Sequence, residues 1–285
     1  MKPSLRELAA QSGLRDITKR VGFFEYLLLT WKARRFIWRY SVAKINGSAS
    51  QNNLGLLWEF LDPLLLSIAY YLVFGVLLDL ERDSSNFPFF LIAGVLTWKL
   101  FSATLTGAVR SNSRKGEQDL LESIHLPHLV IPISNAVQNA LRAIPVVFLL
   151  YPAALLMGEI PHLAWLLLPF VLLWVALTGF AIGLLLNPAV KRIPDLDNLI
   201  KLGLRMLFFM TGVFFSVEKR FATAPDLIQL LANYNPSAVL LEMTRTLFLF
   251  DVNITSTGII WILLFTSVTL CVACLNFWRT ERRLG

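Results

Sequence analysis

Four polar side chains interrupt an otherwise apolar run. Asn135, Gln138, Asn139 and Arg142 follow one another at helical spacing and share one face of a helix. Polar groups in a membrane helix face a bundle interior or a wet cavity. Three amides and a guanidinium in line could conduct a polar, anionic solute, with Arg142 as its counter-charge. The same amides could equally tie helices together by hydrogen bonds. Lys99, beside Trp98 in an earlier apolar run, is the second cation of this kind. No nucleophile–base constellation accompanies them, so no catalytic residue is expected. His125, His128 and His162 gather no carboxylate or thiol at ligand spacing, and no metal is expected. Cys271 and Cys274 have C-x-x-C spacing but lie in an apolar run, where they read as small packing residues. Glu59 and Asp62 sit one turn apart near the start of the first apolar run. There they suit a helix dipole or pair with the basic 32–44 region. Lys201 and Arg205, at the start of the fifth apolar run, read as side chains snorkelling to an interface. No stretch reads G-x-x-x-x-G-K-[ST], so an ATP-driven process would need an ATPase on another polypeptide.

Membrane helices must position these groups. The 285 residues are 56% hydrophobic and only 16% charged, with mean hydropathy +0.62. A soluble domain is nearer 45–50% apolar and about a quarter charged. That excludes a secreted disulfide scaffold, a disordered chain and a free cytosolic enzyme. The apolar runs exceed the ~10-residue alternating strands of a barrel. The expected fold class is therefore an all-α polytopic membrane protein. Six runs, at about 54–78, 88–109, 128–157, 162–186, 202–217 and 254–277, approach the ~20 residues that cross a bilayer. Asn187-Pro188 is expected to end the fourth, because the residue before proline disfavours helix. Twenty of the 26 Lys and Arg fall in 1–53, 110–127, 187–205 and 278–285, against four in 79–87, 157–163 and 216–253. The positive-inside rule then gives six transmembrane helices, with both termini in the cytoplasm. The net charge of +7 belongs to that membrane face, and no nucleic-acid partner is expected. The first 30 residues lack a short apolar core with a cleavage site, so no cleaved leader is expected.

Three stretches do more than connect spans. Residues 1–53 are basic and place Phe24, Leu27, Leu28, Trp31, Trp38 and Val42 on one helical face, flanked by Lys32, Arg34 and Arg39. Such a stripe lies in the headgroup plane or packs on the protein body. Residues 218–250 hold two apolar pieces too short to span, meeting at Asn233-Tyr234-Asn235-Pro236. A re-entrant helix pair is expected there, with two flat outer helices as the alternative. The inner connections 110–126 and 188–201 mix both charge signs with apolar residues. Leu120, Leu121 and Ile124, and Ile193, Leu196, Leu199 and Ile200, suit amphipathic helices that dock a soluble partner, or else solvated loops.

The run from Ser50 to Leu64 (SQNNLGLLWEFLDPL), followed by Tyr70 and Val73-Phe74-Gly75, resembles the first span of ABC-2 type polysaccharide-export permeases. Within them it is most similar to the wall teichoic acid branch, although Asp62 stands where that branch has Asn. Asn235-Pro236 with Arg245 resembles a second family stretch, before the last span. The resemblance implies a cytoplasmic N-terminal region over 1–53 and an ABC-2 transmembrane domain over 54–285. It implies a homodimer with two copies of a separate subunit that binds ATP and Mg, this chain holding no cofactor itself. The cargo would be an undecaprenyl-diphosphate-linked teichoic acid moved across the cell membrane, with O-antigen or capsular polysaccharide as the alternative. Residues 110–126 would couple to the ATPase, through Glu117, Leu120, Leu121, Glu122 and Ile124. Arg142, Lys99, Trp98, Asn135, Gln138 and Asn139 would line the substrate path. Tyr234, Asn235, Pro236 and Arg245 would form the re-entrant gate.

Overall fold

The computed structural model describes residues 22–49, 57–78, 86–111, 126–221, 223–252 and 254–284. Among these residues the fold is all-helical. Two helices, α1 (Phe23–Lys32) and α2 (Arg34–Ala49), precede the bundle. The bundle begins with α3 (Leu57–Tyr70), which continues as a π-helical stretch through Tyr71–Leu77. Next come α4 (Phe87–Val109), α5 (Val130–Phe148) and α6 (Leu150–Leu156). A 3-10 turn, Leu163–Leu167, leads into α7 (Leu168–Arg192), and α8 (Leu196–Met210) follows. Three short helices, α9 (Val217–Phe221), α10 (Asp226–Asn233) and α11 (Pro236–Thr246), precede the last, α12 (Ser256–Leu284).

Four helical stretches are long and apolar enough to cross a membrane: Phe60–Leu77, Phe87–Val109, Leu163–Arg192 and Ser256–Thr280. They match the first, second, fourth and sixth expected runs. The third run is split into α5 and α6 at Leu149. The ring of Pro152 cannot follow a helical Phe148 carbonyl four residues back, so the helix restarts there. The fifth, expected over 202–217, instead begins at Leu196 and ends at Met210 after 15 residues. Gly212, with φ +77, closes the turn beyond it.

Helix α4 is the axis of the fold. Asn86 caps it by accepting from the Phe89 N–H at 3.3 Å, and Pro88 occupies its first turn. Most of its length is buried, including Phe87, Phe89, Phe90 and Phe101. It packs on α7, α5 and α11. In lipid, apolar surface gains little from helix contact, so close backbone approach and hydrogen bonds hold the bundle. Gly179 and Gly183 on α7 provide that approach. A Cβ on either would strike α4, at Thr104 and the Phe101 carbonyl or at the Leu105 carbonyl. The hydroxyls of Thr178 and Thr266, 2.8 Å apart, join α7 to α12. Outward faces carry exposed apolar side chains such as Leu65, Ile68, Phe170, Leu173, Ile260 and Leu264, as lipid contact requires.

The fourth span does not stop at Asn187-Pro188: α7 runs on to Arg192. Asn187 is fully buried, and its Nδ2 donates to the carbonyls of Ala108, Val109 and Ser111 at 3.1, 2.8 and 2.8 Å. These carbonyls end α4, beyond its regular i→i−4 ladder; that of Ala108 also accepts from the Ser111 N–H and hydroxyl at 3.3 and 2.7 Å. The contact holds Asn187 in helical register against the bias of the proline that follows.

Candidate functional site

The polar stripe of α5 divides between two uses. Asn139 Nδ2 donates to the Ala103 carbonyl of α4 at 2.8 Å. The fit needs Gly107, whose Cβ would collide with that amide. Asn135, 9% exposed, accepts from Lys44 Nζ of α2 at 2.8 Å. One turn of α2 away, the Ser41 hydroxyl donates to the carbonyls of Ile37 and Ser134. These two amides are interhelical ties, the second of the two readings of their spacing. Gln138 and Arg142 are partly buried on the same helix.

Helices α4 and α5 run antiparallel, with Gly107 against Asn135 and Ala103 against Asn139. Lys99 and Arg142 therefore each lie about 5 Å further along toward the same end. The structure brings the two cations to one level of the bundle. Lys99 Nζ is 3.5 Å from Asp62 Oδ2 of α3. Asp62 is thus engaged across the first two spans rather than with the basic 32–44 region. Trp98 is buried against Phe101 and Phe208, at centroid distances of 5.5 and 5.7 Å, and packs the core rather than facing a path.

The expected turn near 233–236 is present between α10 and α11. Asn235 Oδ1 accepts from the Ser237 N–H and hydroxyl, and Pro236 opens α11. Tyr234 presents its carbonyl to Trp261 Nε1 at 3.0 Å, tying the turn to α12. Helix α10 buries no residue, whereas α11 buries most of its length against α4. Arg245, 1% exposed, is the anchor. Its Nε, Nη1 and Nη2 donate to the carbonyls of Phe90, Gly212 and Val213 at 3.1, 2.8 and 2.8 Å. Its guanidinium also lies 3.4 Å from the centroid of the Phe90 ring. Three elements meet on one side chain: the start of α4, the turn after α8, and α11. Gly94 leaves room for it, since a Cβ there would meet Nη2.

A second junction links the far end of α4 to α8. Arg110 Nε and Nη2 grip Asp197 at 2.9 and 3.1 Å, and Lys201 Nζ lies 2.7 Å from the same carboxylate. The Arg110 hydrogen bonds hold this carboxyl below its usual 3.8, against an opposing push from burial and with help from Lys201. Lys201 is thus an ion-pair partner rather than a snorkelling side chain. The stretch 188–201 is no separate amphipathic helix. It is the end of α7, a turn at Ile193 and the start of α8, with Leu196 and Ile200 packed on the core.

The N-terminal helices lie on this same end. Tyr26, Thr30, Ala33, Ile37 and Ser41 form the stripe that packs on the body, and the Tyr26 hydroxyl accepts from the Leu129 N–H at 3.2 Å. Phe24, Leu28, Trp31 and Trp38 remain exposed beside Lys32, Arg34, Arg35 and Arg39. The helix thus packs on the body by one face and keeps its ring-and-cation face outward. The expected coupling residues Glu117, Leu120, Leu121, Glu122 and Ile124 lie outside the described residues, as does the part of the 50–64 motif before Leu57. Asn187 and the Arg110–Asp197 clamp escaped sequence reading. A buried-asparagine signal existed in the apolar run before Pro188, but its proline neighbour suggested a helix end.

An apolar helical bundle with four helices long enough to span, a basic end and a short-helix insertion before its last long helix defines a multi-pass membrane protein. The chain belongs to the ABC-2 type transporter family, which it matches over residues 36–249. It is similar to the O-antigen export system permease protein RfbA of Klebsiella pneumoniae, with 24% identity over 68% of this chain and 73% of the relative. RfbA of Myxococcus xanthus is 30% identical over 58% of this chain and 62% of its own length. The polysialic acid transport protein KpsM of Escherichia coli is 24% identical over 80% of this chain and 86% of its own.

Proposed function

We propose that this chain is the permease subunit of an ATP-driven exporter that moves a lipid-linked polysaccharide of the O-antigen or capsular kind to the outer leaflet. The observation that carries the reading is similarity over most of the chain to permeases named for O-antigen export and polysialic acid transport. The levelled pair of Lys99 and Arg142 supports it, because a glycan on a diphosphate carrier needs cations beside a wet path. In this reading the chain has six spans, both termini in the cytoplasm, and a re-entrant α10–α11 pair in the outer leaflet of the cell membrane. The described end bearing α1, α2 and the ends of α7 and α12 is then cytoplasmic. Two copies assemble with two ATP-binding subunits, which hold ATP and Mg, and residues 110–126 couple to them.

A second reading keeps this machine and changes the cargo to undecaprenyl-diphosphate-linked teichoic acid. The Ser50–Leu64 motif favours it. Two measurements test both. Expression with the partner ATPase in strains lacking their own exporter, followed by surface glycan staining, distinguishes the cargoes. Restored O-antigen or capsule supports the first reading, and restored poly(polyol phosphate) alone replaces it with the second. Arg142→Gln should then lower export while assembly and basal ATPase survive, and Arg142→Lys should lower it less. Loss of assembly in both variants would remove Arg142 from the path.

A further inference from the structure

Residues from the last turns of α7 and α12, at the basic end, line a concavity of about 370 Å³. Leu185, Pro188 and Ala189 form its apolar side, and Arg192, Asn276, Arg279 and Thr280 its polar side. Among the described residues, no carboxylate pairs with Arg192 or Arg279. Asp197, five residues after Arg192, is already held by Arg110 and Lys201. The Thr280 hydroxyl donates to the Asn276 carbonyl at 2.8 Å, so the donors left at this site are Arg192, Arg279 and the Asn276 amide. Both walls belong to helices long and apolar enough to span, so the concavity sits where those spans leave the bilayer.

We propose that this concavity binds the phosphate of an anionic membrane phospholipid. Two guanidiniums lining one concavity from separate helices match a phosphodiester, because planar forks can donate bidentately to its oxygens. Asn276 supplies a neutral donor beside them. Free phosphate would use the cations but not the apolar wall, whereas a lipid brings glycerol and acyl carbons to Leu185, Pro188 and Ala189. Basic pockets between membrane helices on the cytoplasmic side recognise anionic head groups in this way. Filling the site joins the ends of α7 and α12 through the ligand, next to the junction of α7 with α8. The site rests on the chain's membrane placement and is independent of the cargo.

The test uses the full-length permease in nanodiscs of phosphatidylcholine containing a minor fraction of phosphatidylglycerol, with retained lipid counted by native mass spectrometry. The wild type should retain phosphatidylglycerol selectively. Arg192→Gln and Arg279→Gln should each weaken that retention about fivefold, the effect of one interfacial cation. A variant with lysine at both positions should retain more than one with glutamine at both. Arg220→Gln, on α9 at the other end, serves as the control and should change nothing. Displacement of phosphatidylglycerol by inorganic phosphate at millimolar concentration would make free phosphate the ligand and overturn the lipid assignment. Unchanged lipid retention in the doubly glutamine-substituted variant overturns it as well. If that variant instead loses only its partner ATPase on purification, the surface is a protein contact.

Discussion

Replacing Arg245 by methionine tests whether the α9–α11 insertion is clamped or gated by this side chain. Methionine keeps much of the volume and removes all donors. The Phe90 carbonyl lies inside α4 and keeps its helical partner, but the carbonyls of Gly212 and Val213 lie in the turn after α8 and lose Arg245. Each buried acceptor left unsatisfied costs about 1–3 kcal/mol, and bonds from a charged donor are the stronger kind. The stacking on Phe90 is lost too. A destabilisation of about 3–5 kcal/mol is expected. Arg245→Lys keeps a charge but reaches fewer of the three carbonyls, so about half that loss is expected. The assay is unfolding of the detergent-solubilised protein followed by tryptophan fluorescence, together with protease sensitivity of 217–250. Gly94→Ala provides an independent route, since its methyl would displace Nη2. It should destabilise in the same direction. A cost below about 1 kcal/mol for Arg245→Met would refute the clamp. Normal stability combined with lost export would make Arg245 a gating residue instead.

Asn187→Ala removes the donor that satisfies the end of α4 and should cost about 2–3 kcal/mol in the same unfolding assay. A cost near zero would mean that water reaches those carbonyls. Gly107→Leu should separate α4 from α5 by displacing Asn139, and a cysteine cross-linking pair across that contact should lose efficiency. The Arg110–Asp197 pair should give a small pH-dependent term. The folded carboxyl titrates below its usual range, so its stabilisation is present above that range and disappears as pH falls through the lowered value. Because Arg110 is half exposed, Asp197→Asn should cost less than about 1 kcal/mol at neutral pH, and that cost should shrink as the pH falls below the usual carboxylate range. A loss that does not change with pH would show that the side chain packs rather than pairs. Leu120→Asp with Leu121→Asp should uncouple the partner ATPase from export. Unchanged coupling would move the docking role to another segment at the basic end.

Composition and hydropathy alone determined that this is an all-helical membrane chain, because no other backbone satisfies itself in lipid over runs of that length. Four spans, the basic end, and the short-helix pair meeting at Asn235-Pro236 were legible for the same local reasons. So was the family, through the spacing around Trp58 and Pro63. Tertiary structure decided what the polar residues do. Asn135 and Asn139 sit at the same spacing as Arg142, yet they meet Lys44 and the Ala103 carbonyl, partners 91 and 36 residues away. Periodicity shows which face a residue occupies but not which helix lies against it. Sequence spacing could not give Arg245 its three carbonyl partners, which come from two distant elements. Asn187 looked like a helix end because proline bias acts between neighbours in sequence. The competing contact, from the end of α4 more than 70 residues earlier, exists only once α4 and α7 are packed together.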